Sequence, residues 1–379
     1  MRPQRSVPLP PRLAAFYFAF FAYSAAFLAY FPPYLAARGL EAGEIAFVLS
    51  LPAAARMFAP AAWGWLADRS GEQRAIVLLS CASMVACFAL IPLVEGLVPI
   101  AALVGATGVF SSGALPLVES MAIGMPGGPG RYGPIRLWGS IGFVAVALCG
   151  GIWLDLMPVK GLPLWLTAFA LAAFAAGAVL PRGVRHATAP PLRIAIPPGA
   201  RAVLAAGFFM ALAHGVLYAF FTLHLQRSGY SGTAIGILWT LGVLAEIVLF
   251  ARLPALFARY SLSTILLASF LCAALRFMAI GWAASLLWLL VLAQLLHAAT
   301  FGAHHAASVT AIHRLFPPHA QARGQSVFFS LSYGAGGAAG ALLASWAWQA
   351  SGPALAFSLA GAAGLAGAYF AYALKRTGL

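Results

Sequence analysis

Five charged side chains lie inside stretches that are otherwise apolar: Arg56, Glu119, Arg136, Glu246 and Arg276. An ionisable group at membrane depth is costly, so it normally faces a partner or a water-filled path. Three cations and two carboxylates so placed imply a polar route through an apolar protein. Setting Glu119 against Arg136 and Glu246 against Arg276 leaves Arg56 over. A guanidinium without a partner can hold a carboxylate by a two-pronged hydrogen bond; the blander alternative is that it snorkels to the nearer interface. Glu246 is the first candidate for carrying a proton. Burial disfavours a carboxylate and a nearby cation favours it, so entry of water or solute would tip the balance. His297 and His304 extend this set, on one helix face with Gln294, Phe301 and Ser308 at spacings of three and four. Imidazole protonates near pH ~6.5, which suits a switch. His214, Tyr218 and Thr222 form a similar strip, as do Tyr23, Phe27, Tyr30 and Tyr34. Together with Trp239, two turns before Glu246, the rings of this last strip could stack an aromatic solute or simply pack. A metal site from His297, His304 and His305 lacks a matching acid or cysteine cluster.

The elements that must position these groups follow from composition. The chain has 379 residues, 63% of them apolar and 8% charged, against roughly 25% charged in soluble proteins. Mean hydropathy is +0.92. Twelve apolar runs, from 12–35 to 352–374, are each long enough to cross a hydrocarbon core about 30 Å thick. They lack the alternation of an outer-membrane barrel strand. The predicted fold class is therefore an all-α membrane protein of twelve transmembrane helices. No cleavable leader is expected, because the first run is too long and lacks a small-residue cleavage site. Cys81, Cys87, Cys149 and Cys272 fall within spans without paired spacing and read as small hydrophobes.

The net charge of +14 would suit nucleic acid, but its distribution argues for a membrane. Seventeen Lys and Arg fall on the side of the N-terminus, and only Arg38, Lys160 and Arg227 on the other. That asymmetry predicts both termini in the cytoplasm. The polar stretch 182–200 divides the chain into helical bundles at 1–181 and 201–379. Residues 45–56 can be laid over 235–246 at a constant offset of 190, which sets Arg56 over Glu246. Parallel repeats of this kind bind solute between them near the midplane.

Between the second and third runs the chain reads Gly64-Trp-Leu-Ala-Asp68-Arg69-Ser-Gly71-Glu-Gln-Arg74. This resembles the loop signature of the major facilitator superfamily. The resemblance implies a gating role for Gly64, Asp68, Arg69 and Gly71, with Gly64 allowing close packing and Gly71 a tight turn. Residues 110–143 resemble the phenylpropionate-permease and oligosaccharide–proton symporter branch, where an acid late in helix 4 faces an arginine after an aromatic-glycine pair. Glu119 and Tyr132-Gly133-Pro134-Ile135-Arg136 fit that pattern. The acid of helix 8, the arginine of helix 9 and the histidine of helix 10 are Glu246, Arg276 and His297. Thr300 stands where the sugar symporters keep a proton-carrying glutamate. Residues 296–337 look particularly like the phenylpropionate-permease group.

The resemblance implies a proton-coupled symporter of the bacterial cytoplasmic membrane that works by alternating access. It would act as a monomer and need no cofactor. Arg56, Glu119, Arg136, Tyr23, Tyr30, His214 and Trp239 are the expected solute ligands; Glu246, Arg276, His297 and His304 are the expected proton-coupling set. The expected solute is a small aromatic or other organic acid, with a sugar or nucleoside as the alternative. Helix 5 lacks the Gly-Pro motif of drug exporters, which favours import. No nucleotide-binding loop and no nucleophile–base pair is visible, so neither an ATP-driven pump nor an enzyme is expected.

Overall fold

The computed structural model describes residues 11–125, 128–181, 196–317 and 320–377. The first ten residues and most of the linking stretch expected at 182–200 lie outside the described residues. Every element among the described residues is a helix. In a bilayer the backbone has no water to bond, and a helix satisfies it within each span.

Among the described residues, eleven helical stretches are long and apolar enough to cross a membrane. The last, Arg323–Ala373, turns at Ser351 and at Gly352 (φ 75°), so it counts as two spans and the total is twelve. Glycine tolerates that positive φ without strain. The helices are α1 (Pro11–Ala37), α2 (Ala42–Ser70), α3 (Gln73–Leu93), α4 (Leu97–Gly124), α5 (Tyr132–Leu156) and α6 (Val159–Ala178). There follow α7 (Gly199–Arg227), α8 (Gly232–Arg259), α9 (Leu262–Trp282), α10 (Leu287–Leu315), α11 (323–350) and α12 (353–373). We call the end holding Pro11 and Ala373 the near end and the opposite one the far end.

Lipid tails are as apolar as leucine, so these helices associate by close contact at small residues. In the first bundle α1 packs on α5 and α6, and α4 on α2 and α3. A methyl on Gly142 of α5 would strike the Phe18 carbonyl of α1. In the second bundle α7 and α9 pack on the α11–α12 stretch, and Gly340 lies hard against the Leu212 carbonyl. The bundles meet through α5 with α8, α2 with α11, and α1 with α7.

At the far end this meeting is hydrogen-bonded. Asp155 in the last turn of α5 accepts from the Gly232 amide (2.5 Å), the Thr233 amide (2.8 Å) and the Thr233 hydroxyl (2.6 Å). A carboxylate there satisfies orphan amides of α8 and meets the positive end of its dipole. One turn further in, Gly236 sits against the Ala147 carbonyl, which also accepts from the Tyr30 hydroxyl.

Two helices near the midplane are interrupted for a reason visible in sequence. Proline cannot donate to the carbonyl four residues back. For Pro60 that carbonyl belongs to Arg56, and α2 breaks there. The amides of Arg56, Met57 and Phe58 bond Ala53 (3.1 Å), Ala54 (3.0 Å) and Ala55 (3.3 Å) instead. Pro116 stands in the same relation to Ser112, where α4 breaks. Helices α10 and α11 each carry a π-helical segment, at Ala298–Ala303 and Ser330–Gly336. Such segments often mark functional sites.

Candidate functional site

A cavity of about 870 Å³, counting its open mouth, lies between the bundles. Its wall takes Phe27 from α1, Arg56 from the break in α2, and His214 and Tyr218 from α7. The π segments add Thr300, Phe301, Ser332 and Tyr333, with His304 next to them. Arg56 is the one Asp, Glu, Lys or Arg side chain in this wall among the described residues. It sits deep in the sequence of α2 yet stays exposed, with Tyr23 and Tyr218 in electrostatic range. It makes no hydrogen bond or ion pair among the described residues.

Arg276 is handled differently. It is completely buried and donates to Thr300 Oγ1 (3.0 Å), Gln294 Oε1 (3.2 Å) and His214 Nε2 (3.3 Å). His214 Nδ1 lies 2.9 Å from the Met210 carbonyl and must donate to it, since a carbonyl only accepts. That leaves Nε2 as the acceptor for Arg276, so the imidazole is neutral. The expected ion pair between Glu246 and Arg276 is therefore not formed. Arg276 points from α9 toward α7 and α10, whereas Glu246 of α8 lies against Gly302 of the α10 π segment. Its Oε2 is 3.9 Å from His297 Nε2.

The second expected pair also separates. Glu119 accepts a 2.8 Å hydrogen bond from the Tyr132 hydroxyl. Arg136 instead stacks over the Phe21 ring, 4.0 Å from its centroid, a favourable place for a cation. Its charge reaches Glu246 and His305 across the bundle interface.

The other expected ligands divide into wall and backing. Trp239 lies behind Tyr218, stacked at 6.4 Å, and donates to the Thr222 hydroxyl at 3.0 Å. Tyr23 lies behind Phe27 and edge-on to Phe88. Tyr30 is completely buried at the α5–α8 contact, away from the cavity wall. His304 packs edge-on against Phe270, while His305 hydrogen-bonds the Tyr333 hydroxyl at 2.9 Å, so the two histidines turn apart. Cys149 is exposed on α5, unlike the buried Cys81 and Cys87.

In the 64–71 segment, Gly71 has φ 74° and ends the helix with a left-handed cap, its amide on the Ala67 carbonyl at 2.8 Å. Gly64 does not mediate close packing, because a methyl there would meet nothing within 4 Å. Asp68 is half-buried without a hydrogen bond among the described residues, and Arg69 lies over Trp65. Tyr218, Phe301 and Tyr333 were not among the expected ligands. The first two stand four residues after His214 and His297, a signal that was available. Tyr333 reaches the wall through a π segment, which helical spacing does not foresee.

Twelve apolar helices around a cavity between two bundles define a multi-pass membrane transporter. The profile of the MFS_1 like family matches residues 11–359, and the chain belongs to that family. A probable 3-phenylpropionic acid transporter of Escherichia coli (strain K12) is 31% identical over 208 residues, covering 53% of this chain and 55% of the relative. The match thus spans about half of that relative's length. The uncharacterized transporter YwbF of Bacillus subtilis (strain 168) is 25% identical over 309 residues, 78% of this chain and 76% of the relative. Among solved structures, a mutant of the nucleoside transporter NupG superposes with TM-score 0.85 at 15% identity, over 96% of this chain and 99% of that one. At that identity the likeness speaks for the fold.

Proposed function

We propose that the protein imports a small aromatic carboxylate of the phenylpropionate type together with a proton. The observation that carries this is the cavity wall: among the described residues it has one free guanidinium, no carboxylate, and the rings of Phe27, Tyr218, Phe301 and Tyr333. An anion with an aromatic body matches both features. A sugar would need several amide or acidic partners, and the cavity wall holds none among the described residues; Gln294 lies outside it, its Oε1 taken by Arg276. The name of the Escherichia coli relative supports the same solute class.

Glu246 and His297 are the proposed proton carriers. They are 3.9 Å apart and mostly buried, with side-chain exposures of 17% and 11%. A proton on either group removes the pair's net negative charge, and Arg136 of the other bundle feels the difference. Bundle rocking around a midplane site would then move solute and proton together. The charge bias supports a near end in the cytoplasm of a bacterial cell, and the proposed working unit is a monomer. Far-end closure by Asp155 would correspond to a state facing inward.

The test is uptake of 3-phenylpropionate into proteoliposomes with and without an inward proton gradient. Wild type should accumulate the acid only with the gradient. Glu246→Gln should lose accumulation yet keep solute exchange. Gradient-driven accumulation that survives in Glu246→Gln would contradict the proton assignment.

A further inference from the structure

Tyr218 has no part in the reading above beyond its ring. We infer that its hydroxyl is a second ligand for the solute's carboxylate, so that the charged end is shared between Arg56 of the first bundle and Tyr218 of the second. This rests on the cavity being an anion site, and it names the residue that would make the site discriminate.

The hydroxyl is available. Tyr30, Tyr34, Tyr132 and Tyr333 each have a hydrogen-bond partner for theirs. Tyr218 lines the cavity and has none among the described residues. Its ring is also held in place. It lies nearly parallel to Trp239 (10°), and that indole is pinned by its hydrogen bond to Thr222, one turn along α7 from Tyr218. Phe221 meets the same indole edge-on at 5.4 Å. A donor fixed in advance loses little freedom on binding.

Charge sets the direction of the interaction. Arg56, Arg276 and Glu246 are all in electrostatic range of Tyr218. Arg276 is occupied by its three acceptors, and Glu246 lies beside His297. Arg56 is the free group, and it faces the same cavity from the opposite bundle. A carboxylate has about four lone-pair sites, of which a two-pronged guanidinium uses two. A phenol can donate to a third. A bound acid would then tie α2 to α7, whereas a neutral amide of the same shape would recruit neither donor with full strength. Tyr218 would thus convert the charge of the solute into a link between bundles.

The experiment measures dissociation constants for 3-phenylpropionate and 3-phenylpropionamide on the full-length protein in nanodiscs. Wild type, Tyr218→Phe, Arg56→Gln and the double variant are compared. Tyr218→Phe keeps the ring and its stacking. It should weaken the acid about tenfold, the scale of a hydrogen bond to a charged group, and leave the amide nearly unchanged. In the double variant the second change should add much less than tenfold, because the two donors share one carboxylate. Thr222→Val, which unpins Trp239, should weaken the acid by a smaller factor. Equal acid affinity in Tyr218→Phe, equal losses for acid and amide, or fully additive losses would each overturn the inference. Acid binding that needs Arg56 but not Tyr218 would overturn it while sparing the anion site. No acid binding by wild type would overturn both.

Discussion

Arg56 and Arg276 are two guanidinium groups deep in apolar helices, and neither is in an ion pair among the described residues. Arg56 sits where Pro60 breaks α2, exposed to a cavity and without a hydrogen-bond partner among the described residues. Arg276 lies in an unbroken helix, fully buried, with three neutral acceptors around it. The first faces an open cavity; the second donates from both terminal nitrogens to buried acceptors, while its Nε has no partner among the described residues. A cation whose terminal nitrogens are already bonded has little to offer a solute. One left open is poised to take an anion.

The comparison is broken most severely if the two roles are exchanged by mutation. Arg56→Gln should weaken binding of an aromatic acid by about 100-fold, in line with losing one partner of a desolvated charge pair, while leaving thermal stability in detergent close to wild type. Arg276→Gln should do the reverse. It leaves His214, Thr300 and Gln294 with unsatisfied groups, at about 1–3 kcal/mol for such a loss, and should lower the melting temperature well below that of Arg56→Gln. If Arg276→Gln were as stable as wild type, the account of that arginine as a structural hydrogen-bond donor would be wrong.

Smaller changes sharpen the contrast. Thr300→Val removes one acceptor from Arg276 and should cost about 1 kcal/mol of stability, read from the same melt, with acid affinity changing less than in Arg56→Gln. Asp155→Ala removes the cap that joins α5 to α8 at the far end. Losing a cap costs about 1 kcal/mol, enough to raise labelling of a far-end cysteine several-fold. Unchanged labelling would show that glycine contacts alone close that end. Gly64→Ala should have almost no effect on stability, since the added methyl meets nothing.

The depth of each charged group was legible in the sequence, and its direction was not. Hydropathy located the spans, including the turn before Pro353, and the offset repeat set Arg56 and Glu246 at matching places in α2 and α8. Opposite charges at similar depth invited pairing as Glu119 with Arg136 and Glu246 with Arg276. Rotation about each helix axis decides such pairs. Tyr132 claimed Glu119, Phe21 claimed Arg136, and the π segment of α10 offered His297 to Glu246. Gly64 misled for a related reason: a motif fixes the residue type, but the neighbour it would pack against must also be near. Gly71, whose role is local to the chain, came out as expected.

The central claim is that the cavity recognises a carboxylate. Its most direct measurement is competition for 3-phenylpropionate uptake in wild-type proteoliposomes by unlabelled 3-phenylpropionate and by 3-phenylpropionamide, which share ring and chain and differ at the end that carries the charge. The account predicts that the acid competes strongly and the amide hardly at all. Equal competition by the two, or effective competition by a neutral sugar, would contradict it.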